Sequence, residues 1–159
     1  MSVPMTAITT APLDLKPLVL AVSEGGGHGA VASFLGVVRG HNMNRRVTHL
    51  EYDAYEPLAL KALQRIRDEV ADRWPGARLA LHHRIGRLGV GEASVAIAAA
   101  SAHRLDAFAA CRYSIERVKQ IAPIWKHEFF EGGEVWIEGV TADPHDEAAR
   151  LEAVRRACA

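Results

Sequence analysis

Ser114-Ile115-Glu116-Arg117-Val118-Lys119-Gln120-Ile121-Ala122-Pro123-Ile124-Trp125-Lys126-His127-Glu128-Phe129-Phe130 carries a helix into a strand across one proline. Phe108, Cys111, Ile115 and Val118 recur at helical spacing, which predicts a helix over 105–120 with Cys111 as a small core residue rather than a nucleophile. Pro123 disfavours helical geometry at Ala122, so 124–130 reads as a strand with Trp125 and Lys126 on opposite faces. Glu131-Gly132-Gly133-Glu134 then turns the chain back into a strand over 135–138, closing a hairpin. Lys119 thus stands at a helix end, on the margin of its buried face and half desolvated, with Lys126 just past the corner. Two ammonium groups drawn into one pocket are costly unless an anion sits between them.

Towards the C-terminus, Asp143, Pro144, the early acids Asp146 and Glu147 and the late Arg155 and Arg156 predict a last helix capped by Asp143. Upstream, strands are expected over 95–100 and 79–85, separated by the glycine-punctuated turn 86–91. Leu58, Ala62, Ile66, Val70 and Trp74 mark an amphipathic helix that begins near Pro57 and stops at Pro75-Gly76. Alternating strands at 30–38 and 47–54 flank the basic, turn-forming run 39–46, which predicts a hairpin with a mobile cationic loop. Residues 17–22 have the run length of a first strand, and 1–16 read as a loosely held, flexible arm before a single domain over 17–159. The glycines at 25–29 are a flexible turn, because the lysine and Ser/Thr of a phosphate loop are missing. Strand pairs flanking long helices give an α+β class.

With 159 residues, 49% of them hydrophobic, the chain is long enough for one buried core. Nineteen basic residues balance nineteen acidic ones, so nothing global favours nucleic acid or an acidic membrane, and any attraction for anions must be local. Two distant cysteines match no disulfide framework and fit a reducing, cytoplasmic setting; no apolar run approaches the ~20 residues of a membrane span. His82 and His83 are adjacent on a strand and point to opposite faces, and no metal-ligand pattern accompanies them, so neither a metal nor a cofactor is expected.

The remaining candidates are cations: Arg39 at a strand end, His103-Arg104 at a strand-to-helix junction, then Lys119, Lys126 and His127. Asp106, Glu116 and Glu128 are the acids available to pair with them. On these residues alone, three readings stay open: an enzyme acting on anions, a lysine Schiff-base lyase, and a non-catalytic module binding a nucleotide-like anion.

Five separated motifs carry a resemblance. Phe34-x-Gly36-x-Val38-Arg39, the run from Leu50 to Pro57, His83-Arg84-Ile85-Gly86, Ser101-Ala102-His103-Arg104, and Lys119-x-x-Ala122-Pro123-Ile124-Trp125-Lys126-His127-Glu128 resemble the large, catalytic subunit family of molybdopterin synthase, in order, over about 29–138. The resemblance implies an α/β hammerhead-like fold with a mixed or antiparallel sheet, flanking helices and a C-terminal hairpin. It implies sulfur transfer from a thiocarboxylated Gly-Gly tail of a small ubiquitin-like partner to a cyclic pyranopterin monophosphate, giving molybdopterin. Pairing of two large subunits at the centre of the assembly is implied as well. By position, Lys119 and Lys126 match catalytic lysines, whereas Val37, Val38, Arg39, His103, Arg104, His127 and Glu128 match the substrate-binding set. Val37 stands where many relatives carry a basic residue, and Gly25 to Gly27 replace a more acidic entry.

Arginine and lysine are the natural charge-assisted donors for a phosphate and a thiocarboxylate. A lysine acting as base or nucleophile needs its pKa lowered from about 10.4, by burial or by a second ammonium. Lys119 is therefore expected to be the more perturbed lysine and Lys126 the one that positions substrate.

Overall fold

The computed structural model describes residues 2–137 and 139–159. Its elements are β1 (Thr6–Thr9), α1 (Leu15–Ser23), β2 (Ala30–Val37), β3 (His41–Asn42), β4 (Arg45–Ala54), α2 (Glu56–Arg73), β5 (Arg78–Arg84), β6 (Gly86–Gly89), β7 (Ala93–Ser101), α3 (Arg104–Ile121), β8 (Ile124–Phe130), β9 (Gly133–Ile137) and α4 (Glu147–Ala157). One sheet has the order β1-β5-β7-β2; the other has the order β3-β4-β8-β9, with β6 also on β4. Among the described residues every strand pairing is antiparallel except β1 with β5. This is the expected α+β class.

The first sheet is covered on both faces, which explains why β7 is apolar without alternation. Ala96, Ala98 and Ala100 pack with Leu18 and Val22 of α1. Val95, Ile97 and Ala99 join the larger cluster built with α2 and α3, including Ile66, Val70, Tyr113 and Val118. Alanine on the α1 side lets that helix sit close to the sheet.

Beneath α2 and α3 lies a polar knot. Arg117, fully buried, donates through Nε and Nη2 to Glu69 at 2.8 and 3.0 Å, through Nη1 to Gln120, and again through Nη2 to the Pro144 carbonyl. Tyr113 adds a 2.8 Å bond to the same carboxylate. The Gln120 carbonyl accepts from Thr141 and Ala142, and its side-chain amide donates to Ala149. The C-terminal end of α3 is thereby tied both to α2 and to the chain that leads into α4.

Several expectations need correcting. Residues 15–23 form a helix, not a strand: Asp14 accepts from the Lys16 N–H as a cap, and Leu18 and Val22 are buried one turn apart. The presumed loose arm carries β1, in register with β5 from Thr6 opposite Leu81. β2 and β4 do not make a hairpin. β2 pairs with β7, and the basic loop instead forms its own small β3–β4 hairpin, turned by Met43 and Asn44 at positive φ. The cap of α4 is Asp146 rather than Asp143. Leu58 and Phe108 are exposed, so each apolar helix stripe is narrower than the sequence implied. The β8–β9 hairpin is present; its expected last residue, Glu138, lies outside the described residues.

Candidate active site

Pro123 ends α3 as anticipated, and Ile124 begins β8 directly. In register, Lys126 lies opposite Tyr52 and Glu128 opposite Leu50, so strand alternation turns Lys126 and Glu128 to one face of β8. Together with Lys119 from the last turn of α3 and Arg39 just past β2, they border a cavity of about 200 Å³, with Val37, Val38, Asn42, Tyr52 and Ser94 completing much of its wall. Its lining is predominantly polar and cationic.

The two lysines exchange their expected environments. Lys119 is exposed and Lys126 half-buried. Burial lowers the Lys126 ammonium from its ordinary value; the charges of Lys119 and Arg39 act in the same direction, against Glu128. An α-helix presents a residue at the edge of its stripe to solvent, whereas β8 is covered by its neighbours, and that is the physical reason for the reversal. Lys119 also borders a larger, mainly apolar cavity of about 630 Å³ with Phe34, Phe108, Cys111 and Ile115. Burial pushes the Cys111 thiol up to about 11, which makes it a poor nucleophile.

Glu128 is almost completely buried. Asn42 donates to its Oε2 at 2.9 Å, Arg45 lies 3.5 Å from Oε1, and the Arg45 guanidinium stacks over Phe130. The Glu128 charge opposes the effects that lower the Lys126 ammonium. Glu116, another of the acids available to the cations, engages Arg112 and Arg156.

Not every anticipated residue reaches this cavity. His127 points to the opposite face of β8, where it stacks on Trp136 at 4.1 Å and meets Glu134 at 3.1 Å. Strand alternation dictates that outcome once Lys126 faces inward. Val38 contributes to the cavity wall, but it is also core, packed with Val47, Leu50 and Leu88. His103 caps the start of α3 and Arg104 opens it, both exposed. Lys119 lies in that helix's last turn, about 22 Å away along the axis at ~1.5 Å per residue. Within one chain, His103 and Arg104 therefore stand at the opposite end of α3 from Lys119.

Sequence reasoning missed Asn42, Tyr52, Ser94 and His83 as neighbours of the lysines. For His83 a signal existed: it continues the buried face of β5 after Leu79 and Leu81, an odd place for an imidazole.

Fold and cavity together define a class: an α+β protein whose second sheet and third helix wall a lysine-paired, largely polar pocket. The chain belongs to the MoaE protein family, whose model matches residues 8–121. It is 45% identical over 130 residues to the molybdopterin synthase catalytic subunit of Bacillus subtilis (strain 168), covering 82% of each chain. With the catalytic subunit of Nostoc sp. (strain PCC 7120) it shares 44% over 133 residues, covering 82% of this chain and 80% of that one. The crystal structure of molybdopterin synthase from Staphylococcus aureus superposes with a TM-score of 0.82 at 38% identity, over 86% of this chain and 98% of that one. A complex of subunits 1 and 2 of the molybdopterin-converting factor from Helicobacter pylori matches with a TM-score of 0.70 at 25% identity, over 85% and 91%.

Proposed function

We propose that this chain is the catalytic subunit of a molybdopterin synthase, an enzyme of molybdenum cofactor biosynthesis. It transfers two sulfurs to a cyclic pyranopterin monophosphate from the thiocarboxylated C-terminus of a small ubiquitin-like subunit. The observation that carries this reading is the convergence of Lys119, Lys126 and Arg39 on one cavity in a MoaE-family fold. Both reactants are anions, and a site with three cationic side chains binds them and stabilises the charge that develops on the acyl oxygen. Cys111, the thiol bordering the neighbouring cavity, is a poor nucleophile, which agrees with sulfur being delivered by a partner.

In this reading Lys126, deep in the wall, holds the substrate phosphate or the acyl oxygen. Lys119 stands at the opening, where an incoming tail arrives. A second copy of the chain completes the site by bringing its own His103 and Arg104. Two features support that pairing: the separation of these residues from Lys119 within one chain, and the apolar side chains Val31, Leu35, Leu105 and Phe108 exposed on β2 and the first half of α3. The test is incubation with the pterin monophosphate and the thiocarboxylated small subunit, followed by fluorescence detection of oxidised molybdopterin. Product that depends on the thiocarboxylate supports the reading; none overturns it. Borohydride trapping of a carbonyl substrate on Lys119 without any sulfur donor would favour a Schiff-base lyase instead.

A further inference from the structure

Beside the cationic cavity lies a smaller chamber of about 110 Å³. Its walls include Tyr52, His83, Lys119, Lys126, Ile137 and Gly139, and it shares Tyr52 and both lysines with the larger space. The two spaces meet at the lysine pair. At about 30 Å³ per molecule of liquid water, the chamber holds a few waters. A pterin does not fit in it.

His83 is the residue that gives this chamber its chemistry. It is 6% exposed, and its register partners Ile8 on β1 and Val95 on β7 are apolar. Its Nδ1 lies 2.8 Å from the Arg84 carbonyl oxygen. A carbonyl can only accept, so Nδ1 carries the proton and Nε2 keeps a lone pair. The Tyr52 ring meets the imidazole edge-on at 5.3 Å and fixes its plane. Burial, opposed by the Arg84 bond and reinforced by the charge of Lys119, pushes the imidazole down to about 4, so it is neutral at working pH. Among the described residues, the titratable groups facing the chamber besides His83 are Tyr52 on β4, Lys119 on α3 and Lys126 on β8. The Tyr52 phenol is raised by burial, against a hydrogen bond with Ser94, and stays protonated. Within this set, the bare Nε2 of His83 is the proton acceptor.

We infer that His83 is the general base that activates the water which frees the spent small-subunit tail. This inference rests on the sulfur-transfer reading above. The step starts from the intermediate in which the donor sulfur bridges a pterin carbon and the acyl carbon of the tail. Leaving sulfur on the pterin requires the acyl carbon–sulfur bond to break. Water drawn from the chamber attacks the acyl carbon, and its proton passes to Nε2 of His83. Lys119 and Lys126 stabilise the oxyanion that forms. The electron pair of the broken bond stays on sulfur, His83 returns the proton to that sulfur, and the products are a pterin thiol and a tail ending in a carboxylic acid. Burial is the larger cause of the lowered basicity and the charge of Lys119 the smaller; an anionic substrate opposes only the second, and moves His83 in the direction of a stronger base.

The test is a single turnover of the assembled enzyme with pterin monophosphate and thiocarboxylated small subunit, comparing wild type with His83→Gln. Product is expected to fall by about 10²-fold, while intact mass spectrometry finds small subunit joined to pterin through sulfur. The deficit narrows as pH rises, because hydroxide replaces the missing base, and hydroxylamine releases the trapped tail. Wild-type product rates from His83→Gln, or lost product with no trapped adduct, would overturn the inference while leaving the sulfur-transfer reading intact. No product from wild type would sink both. If His83→Gln fails to fold, histidine 15N NMR of wild type decides: Nδ1–H with bare Nε2 at neutral pH is required, and the opposite tautomer refutes it.

Discussion

Replacing Glu69 with glutamine removes the charge that balances a guanidinium with no access to water. The carboxylate accepts from Arg117 at 2.8 and 3.0 Å, from Tyr113 at 2.8 Å and from Arg65 at 3.3 Å, and the Arg117 side chain is wholly buried. Breaking a buried pair from one side costs about 3–5 kcal/mol. For a chain of this length each kcal/mol moves the midpoint by about 2–4 °C, so Tm should fall by roughly 6–20 °C. The pH dependence has a definite sign. Burial alone would raise the Glu69 carboxyl, but hydrogen bonds from Arg117 and Tyr113 and the charges of Arg117 and Arg65 outweigh it and hold it below its usual range. A group lowered on folding stabilises fully above its unfolded value, about 4.3 for a glutamate, and loses that contribution as pH falls through the folded value. The wild-type advantage is therefore complete at neutral pH and shrinks below about pH 4. Thermal and urea unfolding across pH 3–8 measure it. Joint replacement, Glu69→Leu with Arg117→Met, should recover most of the loss, because no unpaired charge remains. A neutral-pH difference under about 1 kcal/mol, as for a solvated surface pair, or one unchanged at pH 3, would refute the reasoning.

Two further outcomes follow from the site. Lys119→Ala and Arg104→Ala, each inactive alone, should regain about one quarter of wild-type product formation when mixed and allowed to exchange, since half the dimers then hold one intact site; no recovery in a mixture shown to exchange refutes the shared pocket. Gly29→Ala places a Cβ 2.6 Å from the Ala102 carbonyl oxygen, a backbone atom that cannot simply rotate away. It should displace the His103-Arg104 junction and lower both Tm and turnover, whereas a variant with wild-type values of both would show that the junction tolerates movement.

The corner at Pro123 was legible because a proline's effect on its predecessor is local and period changes are visible on either side of it. The same logic failed at 17–22. A short apolar run fits a strand or a buried helix face equally, and what decided was the Asp14 cap together with the flat alanine surface of β7, which becomes visible only when the sheet is assembled. Pairing of β2 with β7 rather than β4 is likewise a long-range choice that the loop composition does not encode. Within the site, sequence placed Arg39, Lys119 and Lys126 together but exchanged the environments of the lysines, since burial depends on what covers β8. His127 faces away from the lysine cavity because adjacent residues of a strand point to opposite faces. The split of His103-Arg104 from Lys119 was readable from helix rise alone.

Single-turnover molybdopterin formation by folded, partner-binding Lys119→Ala and Lys126→Ala tests most directly whether the lysine-lined cavity performs sulfur transfer. Loss of at least about 10²-fold in each variant is expected, as when a charge-stabilising donor is removed from an active site. A near wild-type rate from either variant would contradict it.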